Sequence, residues 1–494
     1  MTGLLDGTLR FQDGQDSTLK ARYIHVAAQT GKLLAGTTDA PFQSTARIQL
    51  FGNRETPPYP NSGLGSKFLA VFGEVSLIGA TRQESTWTQP AITAVSGDDK
   101  IVVPDEWAAG VEIGDKILLS ATEKVEWDSS ELVAVDAVVR GSPTASIYFE
   151  KTLAYDHVGV VNATWLGTQQ TFMAAEVSVV SASNIIIEGV NEGINPEAEA
   201  EFGVSVYIMQ RPTSCGASVS ASATIVGTNI VSCGQAGWWD RACINVRPMV
   251  DSEEWDASGS VEIRDSIISD GYGYGILVDR SHGVSIADNV IYNVHDVGIY
   301  SMSERISVMR NLVSHIHCSS QQVGAEDDWV YWFVNLQNGI VQQTGGRCHG
   351  LWIKGDGEVV RGNSVSGVKG VCAVLDGDNC GDTLAPSPTP NTNTAHNCLV
   401  GVVQEWNTGQ RAQSGTRGVT TRAGYEVSGS ISANCYSVTG WHIHTMVLFG
   451  ARAVGSLTMV SHIASVKFSN LVIVDAGIAL SAGLPGVDSN KHDK

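Results

Sequence analysis

The sequence has few charged residues, few prolines and no long apolar run. Charged residues make up 17% of the 494 residues, and only 14 residues are proline, whereas charged residues usually account for about 25%. No apolar run reaches the ~18 residues of a membrane-spanning helix, so we expect no membrane span within this chain. The first 25 residues also lack the apolar core of a secretory signal, which predicts a cytosolic protein or a piece of a longer one.

Basic residues are scarce as well. The chain has 31 lysines and arginines against 51 aspartates and glutamates, which gives a net charge of −20 at pH 7. Proteins that bind nucleic acid neutralise its phosphates with basic patches, and no run of lysine or arginine is present here. We therefore expect no nucleic-acid partner, and we expect the acidity to serve solubility.

Cysteine is absent before residue 215, and none of the nine cysteines forms a CxxC pair. Zinc sites usually need closely spaced cysteine and histidine ligands, so we expect neither a metal site nor a cofactor. The odd number leaves at least one thiol unpaired within the chain. Cys372 and Cys380 are close enough in sequence for a local disulfide, as are Cys233 and Cys243, and the sequence leaves the choice open.

Glycine is abundant instead, with 53 residues, and a repeat runs through residues 258–316. At offsets of 23 and 22 residues, three segments share two apolar columns and one polar column: Val261, Val284 and Ile306; Ile263, Ile286 and Val308; Ser266, Asn289 and Asn311. Short alternating strands at a fixed offset indicate stacked coils, because one unit cannot bury its own apolar face. We predict an all-β fold, a right-handed parallel β-helix, whose inward-pointing residues include Val284, Ile286, Val290 and Ile299.

The repeat does not fill the whole chain. Residues 1–90 have the pattern of glycine-rich strands and first coils. Residues 91–165 carry more charge and no such column, which predicts a small inserted β module near the N-terminal end. The β-helix is predicted over residues 166–485, followed by a disordered tail at 486–494. Longer excursions interrupt the coils, above all at residues 319–331, and insertions in solenoids often carry the binding function.

The order of several segments carries a resemblance that covers nearly the whole chain. The segments include YIHVAAQTGKLLAGTTDAPFQSTARIQLFGN, SKFLAVFGEVSLIGATRQESTWTQ, GDKILLSAT, IVSCGQAGWWDRACINV, SDGYGYGILV and VVRGNSVSGVKGVCAVLDGDNC. In this order they resemble the ectodomain region of fibrocystin and fibrocystin-like proteins and, more distantly, the cell-migration-inducing hyaluronan-binding protein family. The resemblance implies an extracellular protein or a membrane-anchored ectodomain, whose glycine-rich domain begins before residue 1.

An extracellular location would give two further features a meaning. Some cysteines would then be paired, with Cys372 and Cys380 as the first candidates. Asn162, in the triplet Asn162-Ala163-Thr164, would be an acceptor for N-glycosylation.

One cluster has residue types that a polysaccharide hydrolase needs. Such an enzyme places two carboxyl groups across the scissile bond. Asp327 and Asp328 precede His349 by about one coil, since Asp327 and His349 are 22 residues apart. These three are the candidate catalytic residues, although no carboxylate stands one coil earlier, at Arg305 and Ile306.

The same excursion concentrates acidic and aromatic side chains, and loops on rigid scaffolds often bind ligands. The predicted ligand-binding residues, for a glycan or an extracellular protein, are Glu326, Trp329, Tyr331 and Trp332. Three hypotheses follow: a non-catalytic extracellular adhesion or receptor module, a polysaccharide hydrolase, and a structural coat or filament component. The first is favoured because binding needs only exposed aromatics and loops.

Histidines elsewhere carry weaker signals. His315 and His317 alternate so that both lie on one face of a strand, as do His442 and His444. Metal binding by such a pair is the less favoured interpretation.

Overall fold

The computed structural model describes residues 2–60, 63–122, 128–165, 168–172, 174–210, 220–248, 257–303, 305–318, 331–335, 340–344, 348–354, 359–376 and 393–405, and the strands of the segment 429–482. The predicted tail, 486–494, lies outside these ranges. The described helices, Asp105–Ala108 and Pro196–Glu199, have four residues each. No helix in the described part of the chain is long and apolar enough to cross a bilayer.

Three rows of parallel strands run along the molecule, and a typical coil adds one strand to each row. The first row contains Ser17–Ala21, Ala46–Phe51, Ile185–Val190, Thr228–Cys233, Ile267–Gly271, Val290–His295, Leu312–His317, the first parts of Ser364–Asp376 and Thr394–Glu405, then Gly429–Cys435, Ala451–Gly455 and Val472–Val474. The second row contains Thr2–Leu5, Tyr23–Val26, Phe68–Val71, Ser205–Gln210, Ile244–Pro248, Ile276–Asp279, Val297–Met302, His349–Lys354, the last parts of Ser364–Asp376 and Thr394–Glu405, and Val438–Trp441.

The third row contains Thr8–Arg10, Lys32–Ala35, Glu74–Ile78, Ser222–Val226, Ala257–Arg264, Ser281–Ala287, Ser307–Met309 and Val359–Arg361. Two further parallel pairs join Thr445–Phe449 to Ser465–Ser469 and Thr458–Met459 to Ser481–Ala482. Parallel pairing between successive coils, in three rows, confirms the predicted parallel β-helix.

The apolar columns fill the interior of the coils. Ile286 stacks in register between Ile263 and Val308, and all three side chains are fully buried. Val284 and Ile299 belong to the same continuous core, as predicted. The prediction for Val290 was wrong: it is fully buried, but in a separate cluster on the outside of the first row. The inserted module, described below, covers that surface, and the repeat pattern does not indicate this contact.

The polar column forms a ladder of hydrogen bonds between coils. Asn311 Oδ1 accepts bonds from the backbone N–H and from Nδ2 of Asn289, both at 3.0 Å, and Asn311 Nδ2 donates to the carbonyl of Ile286 at 3.0 Å. The next coil repeats the pattern with Asn363. The residue before each member of the column, Asp265, Asp288 or Arg310, has a left-handed conformation, with φ of 51°, 57° and 53°. The ladder satisfies backbone groups that a buried turn would otherwise leave unpaired.

An antiparallel sheet is inserted between Glu74–Ile78 of the third row and Ile185–Val190 of the first row. Its strands are Trp87–Thr88, Lys100–Pro104, Lys116–Leu119, Glu131–Val139, Thr144–Phe149 and Val177–Val179, accompanied by the hairpin Val161–Trp165 and Thr168–Phe172. This inserted module has its own core, which includes Trp107, Ile117 and Ile147. The sheet uses strands on both sides of the predicted range 91–165.

The inserted module packs on the outer surface of the first row. Leu118 and Val180 of the module are buried against a stripe on the β-helix formed by Ile267, Val290 and Leu312. The Thr86 hydroxyl donates to the carbonyl of Asp288 at 2.7 Å, and Trp87 Nε1 donates to the carbonyl of Arg310 at 2.9 Å. The module is therefore fixed to three consecutive coils.

Disulfides tie neighbouring strands and coils together. A disulfide joins Cys233 to Cys243, one of the two pairs that the sequence left open, and a second one joins Cys318 to Cys348. Cys372 is bonded to Cys398 and not to Cys380 as predicted. Cys372 and Cys398 lie on adjacent coils with their Cα atoms 5.6 Å apart, so stacking, and not sequence proximity, sets the pair.

Candidate functional site

A break in the strand alternation places polar side chains on the outside of the first row. In Val290–His295, Ile291 and Val294 point into the core, so the two residues between them, Tyr292 and Asn293, both reach the surface. The φ of Asn293 is 53°, and φ is 50°, 52° and 58° at the equivalent positions of neighbouring coils, Ser232, Asp270 and His315. A left-handed residue inside a strand acts as a bulge that re-aims the following side chains.

Seven side chains of three consecutive coils meet on this surface. We call them the histidine–tyrosine cluster: Asp270, Tyr272, Tyr292, Asn293, His295, His315 and His317. Asn293 is its bridge, because its Nδ2 donates to Asp270 Oδ1 at 2.6 Å while its Oδ1 lies 2.8 Å from His317 Nε2. The proton of the neutral His317 ring therefore sits on Nε2.

The rings of the cluster contact one another in series. The ring of Tyr292 stacks on that of His315 with centroids 5.6 Å apart, and the ring of His315 meets that of His317 edge to face at 4.4 Å. His295 lies 5.5 Å from His317 and 6.4 Å from Tyr272, centroid to centroid. The result is a continuous aromatic surface across the three coils.

Partial burial keeps these rings uncharged at neutral pH. Burial, with a smaller contribution from His317, lowers the pKa of His315 to about 4. Burial also lowers the pKa of His295 and of His317. It raises the pKa of Tyr272 and of Tyr292, helped by the charge of Asp270. Each neutral imidazole thus has one N–H group and one acceptor nitrogen, of which the N–H of His317 already donates to Asn293, and each phenol keeps its proton.

The inserted module borders the cluster on one side. Ser130 Oγ of the module lies 3.4 Å from Ser314 Oγ of the first row. The carboxylate of Asp128 is near enough to raise the pKa of His315 and His317, against the larger effect of their burial. The cluster therefore lies in a groove between the module and the β-helix.

A cavity of about 320 Å³ adjoins the cluster at its N-terminal end. It is lined by Gln49, Glu188, Gly189, Val190, Asn191, Phe202, Ser232 and Tyr272. The carboxylate of Glu188 accepts hydrogen bonds from Arg47 Nη1 at 2.9 Å and from Gln49 Nε2 at 2.6 Å. Because Tyr272 belongs to both sites, the cavity and the cluster form one surface.

The described residues contain no group of three or more histidine, cysteine, aspartate or glutamate side chains arranged to hold a metal ion. His315 and His317 contact each other ring to edge.

None of the residues predicted from the sequence as catalytic or ligand-binding is among the seven of the cluster. His349 is 1% exposed in the second row, where its ring meets that of Trp352 edge to face at 4.8 Å, so it offers no surface to a polysaccharide. Asp327, Asp328, Glu326 and Trp329 lie outside the described residues. Tyr331 and Trp332 begin the antiparallel hairpin Tyr331–Asn335 and Ile340–Thr344, and Asn162 lies in the hairpin strand Val161–Trp165.

Sequence reasoning missed the cluster as a unit, although one signal was present. Asp270, Asn293 and His315 recur at the coil offset, and each stands where an outward residue breaks the apolar alternation. The sequence pattern indicates His315 and His317 only as a weak metal pair. Recurrent Asp, Asn and His at one position indicate a left-handed residue, since these types tolerate positive φ.

Comparison with known proteins places the first coils in a known family. The G8 domain family model matches residues 3–91. Over 316 residues the chain is 25% identical to fibrocystin from Canis lupus familiaris, covering 62% of this chain and 7% of that protein. It is 30% identical to Mus musculus fibrocystin over 187 residues, covering 37% and 4%. The chain therefore spans less than a tenth of the length of either relative.

Solved structures show only weak likeness. The tailspike proteins of Pseudomonas phages LKA1 and phi297 are 11% and 10% identical to this chain, with TM-scores of 0.22 and 0.19. Each alignment covers 94% of this chain, and 69% and 66% of the tailspikes. The fold assignment rests on the strand pairing described above.

The match at residues 3–91 corresponds to the strands from Thr2–Leu5 to Glu74–Ile78 and the first edge of the inserted module. A G8 domain therefore occupies the first coils of the β-helix, directly before the insertion. The more distant resemblance to the cell-migration-inducing hyaluronan-binding protein stays a prediction. The G8 match and the two fibrocystins confirm the main resemblance: residues 3–91 match a G8 domain, a large part of the chain is similar to fibrocystin, and its fold is a parallel β-helix.

Proposed function

We propose that this chain is a non-catalytic extracellular binding module and that its histidine–tyrosine cluster holds a glycan. The observation that carries the proposal is the grouping of three uncharged imidazoles and two phenol rings in one groove. Sugar hydroxyls both donate and accept hydrogen bonds, which neutral imidazoles and phenols can match. The ring faces suit the apolar faces of sugar rings.

Binding is favoured over hydrolysis by the composition of the cluster. A glycoside hydrolase generally uses two carboxyl groups that flank the scissile bond. The cluster as defined contains one, Asp270, and its Oδ1 accepts a hydrogen bond from Asn293. The other polar side chains of the cluster, Asn293 and the histidines, can form hydrogen bonds to a ligand but supply no second carboxyl group.

An extracellular location is supported by the cysteine chemistry. Three disulfides join neighbouring strands and coils, and such bonds persist in oxidising compartments and are rare in the cytosol. The fibrocystin likeness favours the same location. The partner class, glycan rather than protein, rests on the cluster alone.

The test is a panel of immobilised neutral and acidic polysaccharides, with retention and chain length both measured. We expect retention without shortening of the chains. His317→Ala should weaken retention about threefold to tenfold, because it removes a hydrogen-bonding ring at the centre of the cluster. The matched control is His25→Ala, which removes another partly buried imidazole, one that stacks on Phe72 in the second row.

Other outcomes would choose between the alternatives. Chain shortening that Asp270→Asn, Asp327→Asn or Asp328→Asn abolishes would contradict the proposal and favour a hydrolase. Equal loss in His317→Ala and His25→Ala would point to general destabilisation and remove the assignment to the cluster. Neither retention nor shortening would favour a structural component.

A further inference from the structure

The cavity beside the cluster has a rigid wall made by the insertion between Ile185–Val190 and Ser205–Gln210. The carboxylate of Glu199 accepts hydrogen bonds from three successive backbone N–H groups, those of Glu192, Gly193 and Ile194, at 3.1, 2.9 and 3.2 Å. This staple fixes the turn that follows the first-row strand. The cavity is therefore preformed on that side, which lowers the entropic cost of binding.

A buried lysine bonds to the two residues of the insertion, Asn191 and Phe202, that line the cavity. Lys67 is fully buried, and its Nζ donates to the carbonyl of Phe202 at 2.8 Å and to Asn191 Oδ1 at 3.2 Å. The ring of Phe202 packs edge to face on that of Trp238 with centroids 6.3 Å apart. Asn191 keeps its amide N–H groups for a ligand because only its oxygen is used by Lys67.

The hydrogen-bonding groups around the cavity are mixed. Asn191, Ser232 and Tyr272 can donate, while Gln49 and Glu188 present acceptor oxygens. Apolar surface comes from the ring of Tyr272, since Phe202 is almost fully buried. A volume of about 320 Å³ is at the lower end of ligand pockets, which span roughly 300–1,000 Å³, so the cavity suits one small, hydroxyl-rich unit.

The charge around the cavity disfavours an anionic unit. Glu188 already pairs with Arg47, so that arginine is engaged. Further carboxylates lie nearby, since the charges of Asp270 and Glu201 both act on Tyr272. A carboxylate or sulfate group on the ligand would face these like charges, and the chain as a whole carries −20.

We propose that the cavity binds a single uncharged sugar unit and makes this module selective for neutral over acidic glycans. The inference rests on the proposed glycan-binding function and narrows it to a substrate class and a subsite. In this arrangement the histidine–tyrosine cluster contacts the rest of the polysaccharide. The cavity binds one sugar unit at the N-terminal end of the groove.

The test measures binding of free glucose, galactose, mannose, N-acetylglucosamine and glucuronic acid to the full chain by calorimetry and saturation-transfer NMR. We expect at least one uncharged sugar to bind and glucuronic acid not to bind. Tyr272→Phe should weaken the uncharged sugar about threefold to tenfold, since it removes one hydroxyl and keeps the ring. The control Tyr148→Phe removes a hydroxyl on the inserted module, where Tyr148 pairs with Lys100 across the sheet.

A charge variant sharpens the test. Glu188→Gln keeps the shape of the side chain and releases Arg47, so glucuronic acid should gain affinity relative to the wild type. Glucuronic acid binding to the wild type as tightly as the uncharged sugars would overturn the proposal. The proposal would also be overturned if no monosaccharide bound while polysaccharide retention still depended on His317. That result would leave the broader glycan-binding function standing. Loss of both kinds of binding would reject both. If Glu188→Gln does not fold, the proposal is tested by the affinity of Tyr272→Phe for the uncharged sugar and by glucuronic acid binding to the wild type.

Discussion

At the scale of single residues, one buried ion pair joins the inserted module to the β-helix. Glu176 is fully buried, and its carboxylate lies 3.0 Å from Nε2 of His396, a residue 220 positions later. The hydroxyls of Ser120 and Ser364 also donate to this carboxylate, one from each body. These three contacts of the Glu176 carboxylate are all buried. The loss of one partner would therefore leave a buried polar group unsatisfied.

We predict that Glu176→Gln destabilises the protein by about 3–5 kcal/mol, the usual effect of breaking a buried pair. The double variant Glu176→Gln with His396→Gln should cost less than the sum of the two single changes, because each removes the same interaction. The matched control is Glu74→Gln, whose partner Lys32 is 44% exposed and whose loss should cost under about 1 kcal/mol. Chemical denaturation of the wild type and the four variants measures these costs, and additive costs of the two single changes would contradict a direct coupling.

The same pair gives the stability a pH dependence. Burial raises the pKa of Glu176, but His396 and the two hydroxyls outweigh burial, so the pKa lies below the ordinary 4.5. Burial lowers the pKa of His396, but Glu176 outweighs it, so that pKa lies above 6.5. The Glu176 contribution is complete above 4.5 and is lost as pH falls through its lowered pKa, while the His396 contribution is complete below 6.5 and is lost as pH rises through its raised pKa. The gap between wild type and Glu176→Gln should therefore be widest between pH 4.5 and 6.5; a gap that is constant from pH 3 to 9 would contradict this.

At the scale of strands, the alternation inside each coil decides which side chains are core. In Ser281–Ala287, Val284 and Ile286 point inward, and Ser285 between them is partly exposed. The asparagine ladder then sets where each strand begins, because Asn289 and Asn311 bond to the coils on either side of them. The bulge at Asn293 ends the alternation and brings the histidine–tyrosine cluster to the surface. One coil thus contains a core segment, a positioning turn and a segment that presents the polar and aromatic side chains of the cluster.

We predict that Ile286→Asp costs at least about 4 kcal/mol or prevents folding, because it buries an unpaired charge in the continuous core. Ser285→Asp, one residue away on the outer side, should change the free energy of unfolding by less than about 1 kcal/mol. Thermal and denaturant unfolding measure both variants. Similar melting of Ile286→Asp and the wild type would show that this column is not core.

At the scale of the whole molecule, disulfides link segments that the β-helix fold already brings together. Cys372–Cys398 links adjacent coils, whereas Cys318–Cys348 links the end of the first-row strand Leu312–His317 to the start of the second-row strand His349–Lys354 within one coil. Cross-links of this kind stabilise mainly by restricting the unfolded chain, typically by about 2–4 kcal/mol. They lie in the C-terminal half of the β-helix, away from the core of the inserted module.

We predict that at most three of the nine cysteines react with a thiol reagent in denatured, unreduced protein, and all nine after reduction. Six cysteines are paired in the described residues, which leaves Cys215, Cys380 and Cys435 of the nine. Peptide mapping should recover Cys372 linked to Cys398. Nine reactive thiols before reduction would indicate a reducing compartment, and a Cys372–Cys380 peptide would contradict the stacking.

The sequence by itself determined the repeat, the identity of core positions such as Ile286, and the polar column at Asn289 and Asn311, because these depend on periodicity within one coil and between adjacent coils. It also carried the fibrocystin likeness through the order of its segments. Only the tertiary structure decided that Val290 is covered by the inserted module, that Cys372 pairs with Cys398, and that Glu176 meets His396. These contacts join residues from different bodies or coils, and docking geometry has no period along the chain. The histidine–tyrosine cluster depends on both sequence and tertiary structure. Its left-handed positions recur in the sequence, but the groove exists only because the module packs beside them.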